Sequence, residues 1–425
     1  MKSKGFFITF SCILMLFSCE DDDNADVVFA NFLVAKPLTV SKDEYRETSV
    51  QVVDSTPIIE SGKMYAYKDY VFVNDKNRGV HVIDNSNPES PEKISFIKIA
   101  GNVDISIKDD YLYADSLADL VVLDIADISD VKIVDWLEGV FPENFWFGFG
   151  VTDIAWPQAD IYDFDEIDFE NEVLLGWEVV EERRAVPQYD AWDDLATIND
   201  AGSFENSGDV GQGGSLARFK IVDDHLYVVD SHNINVFDIS DLESPKDLED
   251  VFVGFDIETI FNRGAHLFLG SMQGMYIYDI TAPSTPTYVA EFQHGTACDP
   301  VVVDDSHVYV TLRGGNFCGA TESGLYIIDI STITMPKLEV IYPMDEPYGL
   351  GIKGDKLFIC DGSSGLKVYD KSAAPNIEVL DHFKDIVTFD VIPLKDNLLM
   401  VGDGILYQYE YLVDGIRQIS EFQLN

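Results

Sequence analysis

A strand-like phrase that ends in an acidic residue recurs along the whole chain of 425 residues. Successive copies are separated by 40, 114, 41, 50, 41 and 40 residues, which gives a period of about 40 with one large and one small insertion. A fixed period of this length is typical of an array of repeated structural units. The copies are GVHVID, DLVVLD, NINVFD, GMYIYD, GLYIID, GLKVYD and the degenerate GILYQYE, which end at Asp84, Asp124, Asp238, Asp279, Asp329, Asp370 and Glu410.

Each copy lies within a predicted set of four short strands. A hairpin with an Asp or Gly turn precedes the phrase, as in KGDKLFICD at residues 353–361, and further apolar stretches rich in β-branched residues lie before and after it. Four antiparallel strands in about 40 residues are typical of one propeller blade. Residues 62–425 therefore predict an all-β, seven-bladed β-propeller with four-stranded antiparallel blades. Eight blades are the alternative if the large insertion builds a blade of its own.

The composition of the repeated phrase fits this prediction. It is apolar almost without alternation, which a sheet requires when neighbouring sheets cover both of its faces. The Asp at its end is expected to accept a hydrogen bond from the backbone N–H two residues on, in an Asx turn. A proline follows seven residues after the Asp in four copies, at Pro91, Pro245, Pro286 and Pro336. We therefore interpret the repeated Asp residues as structural rather than as metal ligands.

The N-terminus predicts a processed and lipidated segment. Lys2 and Lys4 precede an apolar run that is too short to span a bilayer and ends in Leu-Phe-Ser-Cys at residues 16–19. This ending resembles the lipobox of bacterial lipoproteins, which implies a signal peptide at residues 1–18 and a lipid on Cys19. The alternative is an ordinary secretory signal with an incidental cysteine.

The acidic residues 20–23 follow Cys19 directly. They resemble the export tag that directs Bacteroidetes lipoproteins to the outer leaflet of the outer membrane, and the alternative is a solvated acidic tether. Residues 19–61 are accordingly interpreted as the lipidated N-terminus, tether and lead-in segment. The expected location is the outer membrane, with the protein facing the cell surface or, alternatively, the periplasm, and the lipid as its membrane contact.

Four phrases, HVIDNSNPESP, DLVVLDIADIS, VFDISDLESP and LYIIDIS, resemble the LVIVD repeat of bacterial surface and secreted proteins. The whole chain is similar to the LVIVD-repeat lipoproteins of Bacteroidetes. The resemblance implies a β-propeller in the cell envelope and implies no reaction. The last unit departs from the pattern because Glu410 replaces the Asp and no proline follows, which affects how the ring is expected to close.

The charge of the chain limits its partners. Asp and Glu number 76 against 28 Lys and Arg, for a formal charge of -48, so the surface would repel nucleic acid. The motifs H-E-x-x-H, C-x-x-C and G-x-S-x-G are absent from the sequence. The acidic run at residues 163–170 lacks EF-hand spacing because Ile167 occupies the fifth position. The sequence thus predicts no cofactor and no metal site, leaves the question of catalysis open, and nominates no nucleophile.

The large insertion, residues 140–215 between the second and third blades, holds 18 acidic residues. We interpret it as one large inserted loop with a solvated acidic part and a glycine-rich end. In a four-stranded blade, the loops between strands two and three share a face with the connections to the next blade. The insertion and the other long loops then lie on one face, at the mouth of the central channel. Loops on a rigid scaffold are where binding residues usually lie.

The predicted function is binding of a glycan, peptide or partner protein through this face. The alternatives are a propeller hydrolase or lyase that uses carboxylates at the channel mouth, and a passive envelope component. The guanidinium groups of Arg218 and Arg313 suit a carboxylate or sulfate group on a ligand. The alternative is that these two arginines pair with nearby aspartates. The candidate binding residues are Asp104, Arg218, His294, Asp299, Arg313 and Tyr348.

Three cysteines remain after Cys19 in the predicted mature chain. Cys298 and Cys318 flank the hairpin at residues 301–313 at its open end, whereas Cys360 belongs to the next blade. The sequence predicts a disulfide between Cys298 and Cys318 in an oxidising environment. An unstrained bridge over about 20 residues would add roughly 3 kcal/mol.

Overall fold

The structure is a computed structural model that describes residues 29–141, 154–185, 214–294, 300–314 and 322–425. The chain enters it through three N-terminal elements: β1 (Phe29–Ser41), α1 (Lys42–Ser49) and β2 (Val50–Asp54). The Ser41 hydroxyl accepts the backbone N–H of Glu44, which caps the start of α1. None of the helices in the described ranges has the length and hydropathy needed to cross a membrane.

Four-stranded units follow. The first is β3 (Ser61–Tyr67), β4 (Tyr70–Asp75), β5 (Gly79–Asp84) and β6 (Glu92–Ile99), and the second is β7 (Ile105–Lys108), β8 (Tyr111–Ser116), β9 (Asp119–Asp124) and β10 (Lys132–Leu137). The insertion then contributes β11 (Ile161–Tyr162), a 3-10 turn (Phe164–Glu166) and β12 (Glu172–Ala185). The third unit is β13 (Phe219–Val222), β14 (His225–Val229), β15 (Asn233–Asp238) and an outer edge split into β16 (Lys246–Asp247) and β17 (Val251–Phe252).

The remaining units repeat this order. The fourth is β18 (Ile257–Arg263), β19 (His266–Ser271), β20 (Gly274–Asp279) and β21 (Thr287–Gln293), and the fifth is β22 (Val301–Val303), β23 (His307–Leu312), β24 (Gly324–Asp329) and β25 (Lys337–Pro343). The sixth is β26 (Leu350–Lys353), β27 (Lys356–Cys360), β28 (Leu366–Asp370) and β29 (Glu378–Phe383). The seventh is β30 (Asp390–Pro393), β31 (Asn397–Gly402), β32 (Ile405–Leu412) and β33 (Gly415–Gln423).

Each unit is an antiparallel sheet whose strands pair in chain order. In the first sheet, β2 adds a fifth strand outside β6. The first strand of every unit contacts the first strand of the next, and β3 of the first unit contacts β30 of the seventh, so the described units form a closed cycle of contacts. This arrangement is a β-propeller in which the first strands surround a central channel. The predicted all-β class is confirmed.

The packing of β24 shows why the repeated phrase is apolar on both sides. Leu325 and Ile327 pack with Leu350 of the sixth unit, whereas Ile328 packs with Ile277 of the fourth. Successive side chains of a strand point to opposite faces of the sheet, so the two faces of β24 belong to different cores. The predicted burial of the third strand on both faces is confirmed.

The repeated aspartates have the predicted local role. Each accepts the backbone N–H of the residue two positions later, at 2.8–3.0 Å. The hydrogen bonds hold the pKa of most of these carboxyls below the ordinary value, as at Asp279 with Thr281. The six residues that form this Asx turn are Asp84, Asp124, Asp238, Asp279, Asp329 and Asp370. In the seventh unit Glu410 pairs instead with Arg417 of the adjacent strand.

The described part of the insertion differs from the predicted loop. Its strands β11 and β12 flank β1 in a three-stranded sheet, and β12 runs antiparallel to β1 from Phe29 opposite Ala185 to Ser41 opposite Glu172. The prediction of a solvated acidic segment is wrong for Asp163, which is buried and forms ion pairs with Lys36 and Arg184. The lead-in segment and the insertion thus fold together.

Among the described residues, no strand pairs with both the seventh and the first sheet, and side-chain and loop contacts close the ring between these units. The carbonyl of Leu424 accepts the Lys93 ammonium at 2.6 Å and the backbone N–H of Ile58 at 3.4 Å, and the Leu424 side chain is fully buried in the core between these units. Asn85 and Gln408 exchange two side-chain hydrogen bonds across the same boundary. The degenerate last repeat therefore still completes the cycle.

Replacing Leu424 with Ala tests this closure. We expect the free energy of unfolding to fall by about 2–5 kcal/mol, because the change leaves a cavity between the seventh and first units. The matched control is Leu412→Ala in β32, where the side chain is 45% exposed and the expected change is below about 1 kcal/mol. Urea denaturation of both variants measures the difference, and equal effects would contradict a closure that depends on Leu424.

Candidate functional site

Four ionisable side chains lie where the first strands of their units begin. Lys63 is in β3, Asp104 precedes β7, Arg218 precedes β13 and Asp390 opens β30. All four are buried. Because these strands surround the channel, the four side chains lie at one of its ends, and we call them the channel cluster. The face of the propeller at this end, which carries the unit-to-unit connections, is called the mouth face.

Lys63 and Asp104 form a buried ion pair. The ammonium lies 2.9 Å from Oδ2 of Asp104, and the two side chains are 2% and 1% exposed. The same oxygen accepts the backbone N–H of Arg218 at 2.8 Å, and Oδ1 accepts that of Ile105. Burial lowers the pKa of Lys63, and the charge of Asp104 opposes that shift. Asp104 thus joins the first three units rather than facing a ligand.

A second buried carboxyl group, that of Asp115, accepts hydrogen bonds from the backbone around Asp104. Oδ1 of Asp115, at the end of β8, accepts the backbone N–H groups of Val103 and Asp104 at 2.9 Å and the side-chain amide of Asn102 at 2.8 Å. Burial raises the pKa of Asp115 to about 6, although these backbone hydrogen bonds act in the opposite direction. Asp115 therefore fixes the chain that carries Asp104.

The prediction that Asp104 and Arg218 present their charges to a ligand is corrected by their burial. Arg218 is 8% exposed, and its Nε donates to the carbonyl of Val229 at 3.1 Å. Asp104 is occupied by Lys63 and by backbone donors. Both residues lie at the channel end, as predicted, but they belong to its interior.

The end of the insertion explains this burial. Residues 214–217, which we call the strap, precede the third unit but contact units on the other side of the ring. The hydroxyl of Ser215 accepts the backbone N–H of Leu350 in the sixth unit at 2.8 Å. Gly214 packs against Asp390 in the seventh, whereas the carbonyl of Ala217 accepts the N–H of Ile260 in the fourth. The strap therefore crosses the end of the channel.

Asp390 is the unusual member of the cluster. It is 2% exposed, and neither carboxylate oxygen has a hydrogen-bond partner of normal geometry. Burial raises its pKa to about 7, and the nearby backbone N–H of Val391 and the charge of Lys63 offset this only in part. A carboxyl group in such surroundings is held neutral more readily than a solvated one.

Three half-buried side chains from consecutive units lie beside the strap. The Arg313 guanidinium lies 4.0 Å from the ring centroid of Tyr348, a cation–π contact. The Tyr348 ring in turn lies 5.2 Å from that of Phe389, at 76°. We call these residues the Arg313 stack. The structure thus brings together two of the predicted binding residues and adds Phe389, which sequence reasoning missed.

The other predicted site residues have different outcomes. His294 is half-buried at the end of β21, where its backbone N–H donates to the carbonyl of Gln273 at 3.2 Å. Cys360 is buried and free. The remaining predicted residues, Asp299, Cys19 and the pair Cys298 and Cys318, lie outside the described residues, so the disulfide and the lipid anchor stay predictions.

The small sheet joins the propeller on the mouth face. From α1, Tyr45 donates to the carbonyl of Ala100, in the connection between the first two units, at 2.9 Å. Arg46 pairs with Asp119 of the second unit at 2.8 Å. Leu117 packs with Tyr45 and with Val173 of β12. The N-terminal segment and the insertion together therefore enlarge the same face that the strap closes.

Sequence reasoning missed Lys63 and Asp390. The signal for Asp390 was present, because Phe-Asp-Val at residues 389–391 occupies the same place in its unit as Val-Asp-Ile at residues 103–105. Lys63 carried no comparable signal. Within the described ranges, no three His, Cys, Asp or Glu side chains are grouped closely enough to hold a metal ion.

Comparisons with known proteins agree with the repeat analysis. The family model described as the LVIVD repeat matches residues 62–96, 100–135 and 295–343, so the chain contains LVIVD repeats. No curated protein sequence matches the chain significantly.

Solved structures similar to the chain are β-propeller proteins. A computationally designed protein, Ika8, matches with a TM-score of 0.50 and 10% identity over 87% of this chain and 89% of its own. Sqt1 of Saccharomyces cerevisiae matches at 0.49 and 9% over 87% and 86%, and BamB of Moraxella catarrhalis at 0.42 and 11% over 91% and 89%. At this identity the likeness to Ika8 supports the fold alone.

Replacing Lys63 with Met tests the buried ion pair. We expect a loss of about 3–5 kcal/mol in the free energy of unfolding, because Asp104 would be left buried without its cation. The matched control is Lys68→Met, since Lys68 pairs with Asp110 but is 54% exposed, and a change below about 1 kcal/mol is expected. Chemical denaturation at pH 7 measures both, and a harmless Lys63→Met change would refute the pair's structural role.

Proposed function

We propose that this chain is a seven-bladed β-propeller lipoprotein of the outer membrane that binds a ligand at the cell surface through its mouth face. The observation that carries the binding proposal is that elements outside the blades are concentrated on the mouth face. The three-stranded sheet, α1 and the strap all join the propeller there. The opposite face carries two kinds of connection, the turns between first and second strands, such as that between Lys108 and Tyr111, and the links between third and fourth strands, such as that between Asp84 and Glu92.

The Arg313 stack is the proposed centre of binding. Stacking on Tyr348 orients the Arg313 guanidinium, a planar group whose geometry suits bidentate hydrogen bonds to a carboxylate or sulfate. A ligand with a carboxylate or sulfate group fits this chemistry, and the neighbouring Phe389 ring offers it an apolar surface. We therefore propose an acidic glycan or an acidic peptide as the ligand class.

A hydrolase or lyase is less well supported. Such an enzyme needs carboxyl groups that a substrate can reach. With the strap seated as in the structure, Asp104 and Asp390 are 1% and 2% exposed, and Gly214 of the strap packs directly on Asp390. Binding at the half-buried Arg313 stack requires no such opening.

The proposed anchor places the lipid at a distance from the propeller. Phe29 lies at the end of β1 away from α1, and the 13 residues of β1 span about 40 Å at roughly 3.3 Å per residue. A tether from Cys19 would therefore enter the fold at the far tip of the small sheet. This spacer supports display of the propeller away from the bilayer.

Replacing Cys19 with Ser tests the anchor. We expect the variant to move from the membrane fraction to the soluble fraction, because the lipid would supply the whole membrane affinity. Cell fractionation with and without detergent measures the shift. Membrane association that persists in Cys19→Ser would contradict the anchor, and the binding proposal would still be open to a separate test.

Binding is tested with the purified Cys19→Ser protein on an array of sulfated, uronic-acid and neutral glycans and acidic peptides. We expect capture by acidic ligands, with at least about a tenfold loss of affinity in Arg313→Ala and Tyr348→Ala, as for residues at the centre of an interface. The matched control is Arg263→Ala, because Arg263 is exposed on the opposite face and pairs with Asp305. Equal affinity in all variants, or loss in Arg263→Ala alone, would contradict this site.

A further inference from the structure

We propose that the strap is a pH-sensitive closure of the channel, seated while Asp390 is protonated and released when Asp390 ionises. This inference goes beyond the proposed binding function. It depends neither on the lipid anchor nor on the identity of a ligand.

The contact between the strap and Asp390 is close on both sides of the carboxyl group. A Cβ atom added at Gly214 would lie 1.9 Å from Oδ2 of Asp390, and one added at Gly349 would lie 2.1 Å from Oδ1. Contacts this short mean that a side chain at either position would require the Asp390 carboxyl group to move. Asp390 is therefore enclosed between two glycines, one from the strap and one from the sixth unit, and neither of its oxygens has a hydrogen-bond partner of normal geometry.

Such an enclosure distinguishes the two protonation states of Asp390. Burial of a neutral carboxyl group costs comparatively little free energy, whereas burial of an ionised carboxylate without hydrogen bonds costs much more. Moving the strap would open a path for water to the carboxylate. Ionisation therefore favours the released strap.

The charged and titratable groups that face Asp390 do not cancel the preference of its ionised form for the released strap. Lys63 from β3 is the nearby cation, and Asp104 already binds it. Cys360 from β27 is buried, and burial raises the pKa of its thiol well above the ordinary value, so it stays neutral. Tyr348 precedes β26, and its ring packs on Phe389. The strap itself, Gly-Ser-Leu-Ala, contains no titratable side chain.

The direction of the pH dependence follows from the raised pKa. Burial raises the pKa of Asp390 to about 7 in the closed state, whereas an exposed aspartate titrates near about 4. The closed state is therefore fully favoured below about pH 4. Its stability relative to the open state falls progressively as the pH rises from about 4 to 7. Above pH 7 that stability changes no further.

Two hydrogen bonds, together with burial of Leu216 and Ala217, hold the described residues of the strap in place. The bond from the Leu350 N–H to the Ser215 hydroxyl joins it to the sixth unit, and the carbonyl of Ala217 accepts the Ile260 N–H at its base. A release that breaks the first bond would expose Lys63 and Asp104 to solvent. The Leu350 amide proton thus reports on the position of the strap.

Hydrogen–deuterium exchange of the Cys19→Ser protein tests the proposal. Protection factors, which correct for the intrinsic effect of pH on exchange, are measured for the strap amides and for Leu350 at pH 5.5 and pH 8. We expect protection to fall by at least roughly tenfold at the higher pH. In Asp390→Asn the amide is always neutral, so protection should be the same at both values.

Three further variants make the test specific. Gly214→Ala should lower protection at both pH values, because its Cβ would meet the carboxyl group. Ser215→Ala should lower protection of Leu350 and retain the pH dependence. The matched control is Asp403→Asn, an exposed aspartate in the same unit, which should behave like the parent protein.

Two results would overturn the proposal. The first is equal protection of the strap at pH 5.5 and pH 8 in the parent protein. The second is a pH-dependent loss of protection that persists in Asp390→Asn, since another group would then control the strap. If Asp390→Asn fails to fold, the comparison of Gly214→Ala with the parent at pH 5.5 decides, because unchanged protection there would show that Asp390 does not seat the strap.

Discussion

The structure depends on the burial of each sheet on both faces by its two neighbours. The strand β24 illustrates the constraint, because Leu325 and Ile328 belong to cores shared with different units. A sheet of this kind has no wet face, so a unit at an open end of the array would expose a core. Closure of the ring is therefore a condition for stability. Here it is achieved by noncovalent contacts around Leu424 and between Asn85 and Gln408 rather than by a strand shared between the chain ends.

Closure also creates the channel, and the channel determines where charge is buried. The first strands bring Lys63, Asp104, Arg218 and Asp390 to one end, where the strap separates them from solvent. Three of these groups satisfy one another or nearby backbone atoms, and Asp390 does not. A buried polar group without partners in an otherwise satisfied cluster calls for a physical explanation, and a functional role is one such explanation. The unit-to-unit contacts that stabilise the propeller thus also position the group that we propose as its switch.

Much of the fold could be predicted from the sequence because the information was local and repeated. The phrase GLYIID fixed a strand with two buried faces, and its final Asp329 predicted the turn that the structure contains. The pairing of β1 with β12 could not be predicted, because it joins segments more than 100 residues apart that share no repeated pattern. In the same way, nothing local in Gly-Ser-Leu-Ala indicates contacts with the sixth and seventh units.

For the candidate site as well, local patterns were predictable from the sequence and long-range contacts were not. The positions of Asp104 and Arg218 at the channel end were predictable from the order of strands, but their burial was not, because it depends on the strap. Arg313 and Tyr348 were predicted to share a face, and their direct stacking depends on how the fifth and sixth units are oriented. Sequence patterns therefore located the side chains along the ring, and long-range packing decided which of them remain accessible.

A crystal structure of the Cys19→Ser protein at pH 5.5 would test the central claim most directly. The account predicts seven sheets around one channel, with β3 beside β30 and Gly214 packed against the Asp390 carboxyl group. Six or eight sheets in the ring, a gap between the first and last units, or an open channel with the strap displaced at this pH would contradict it.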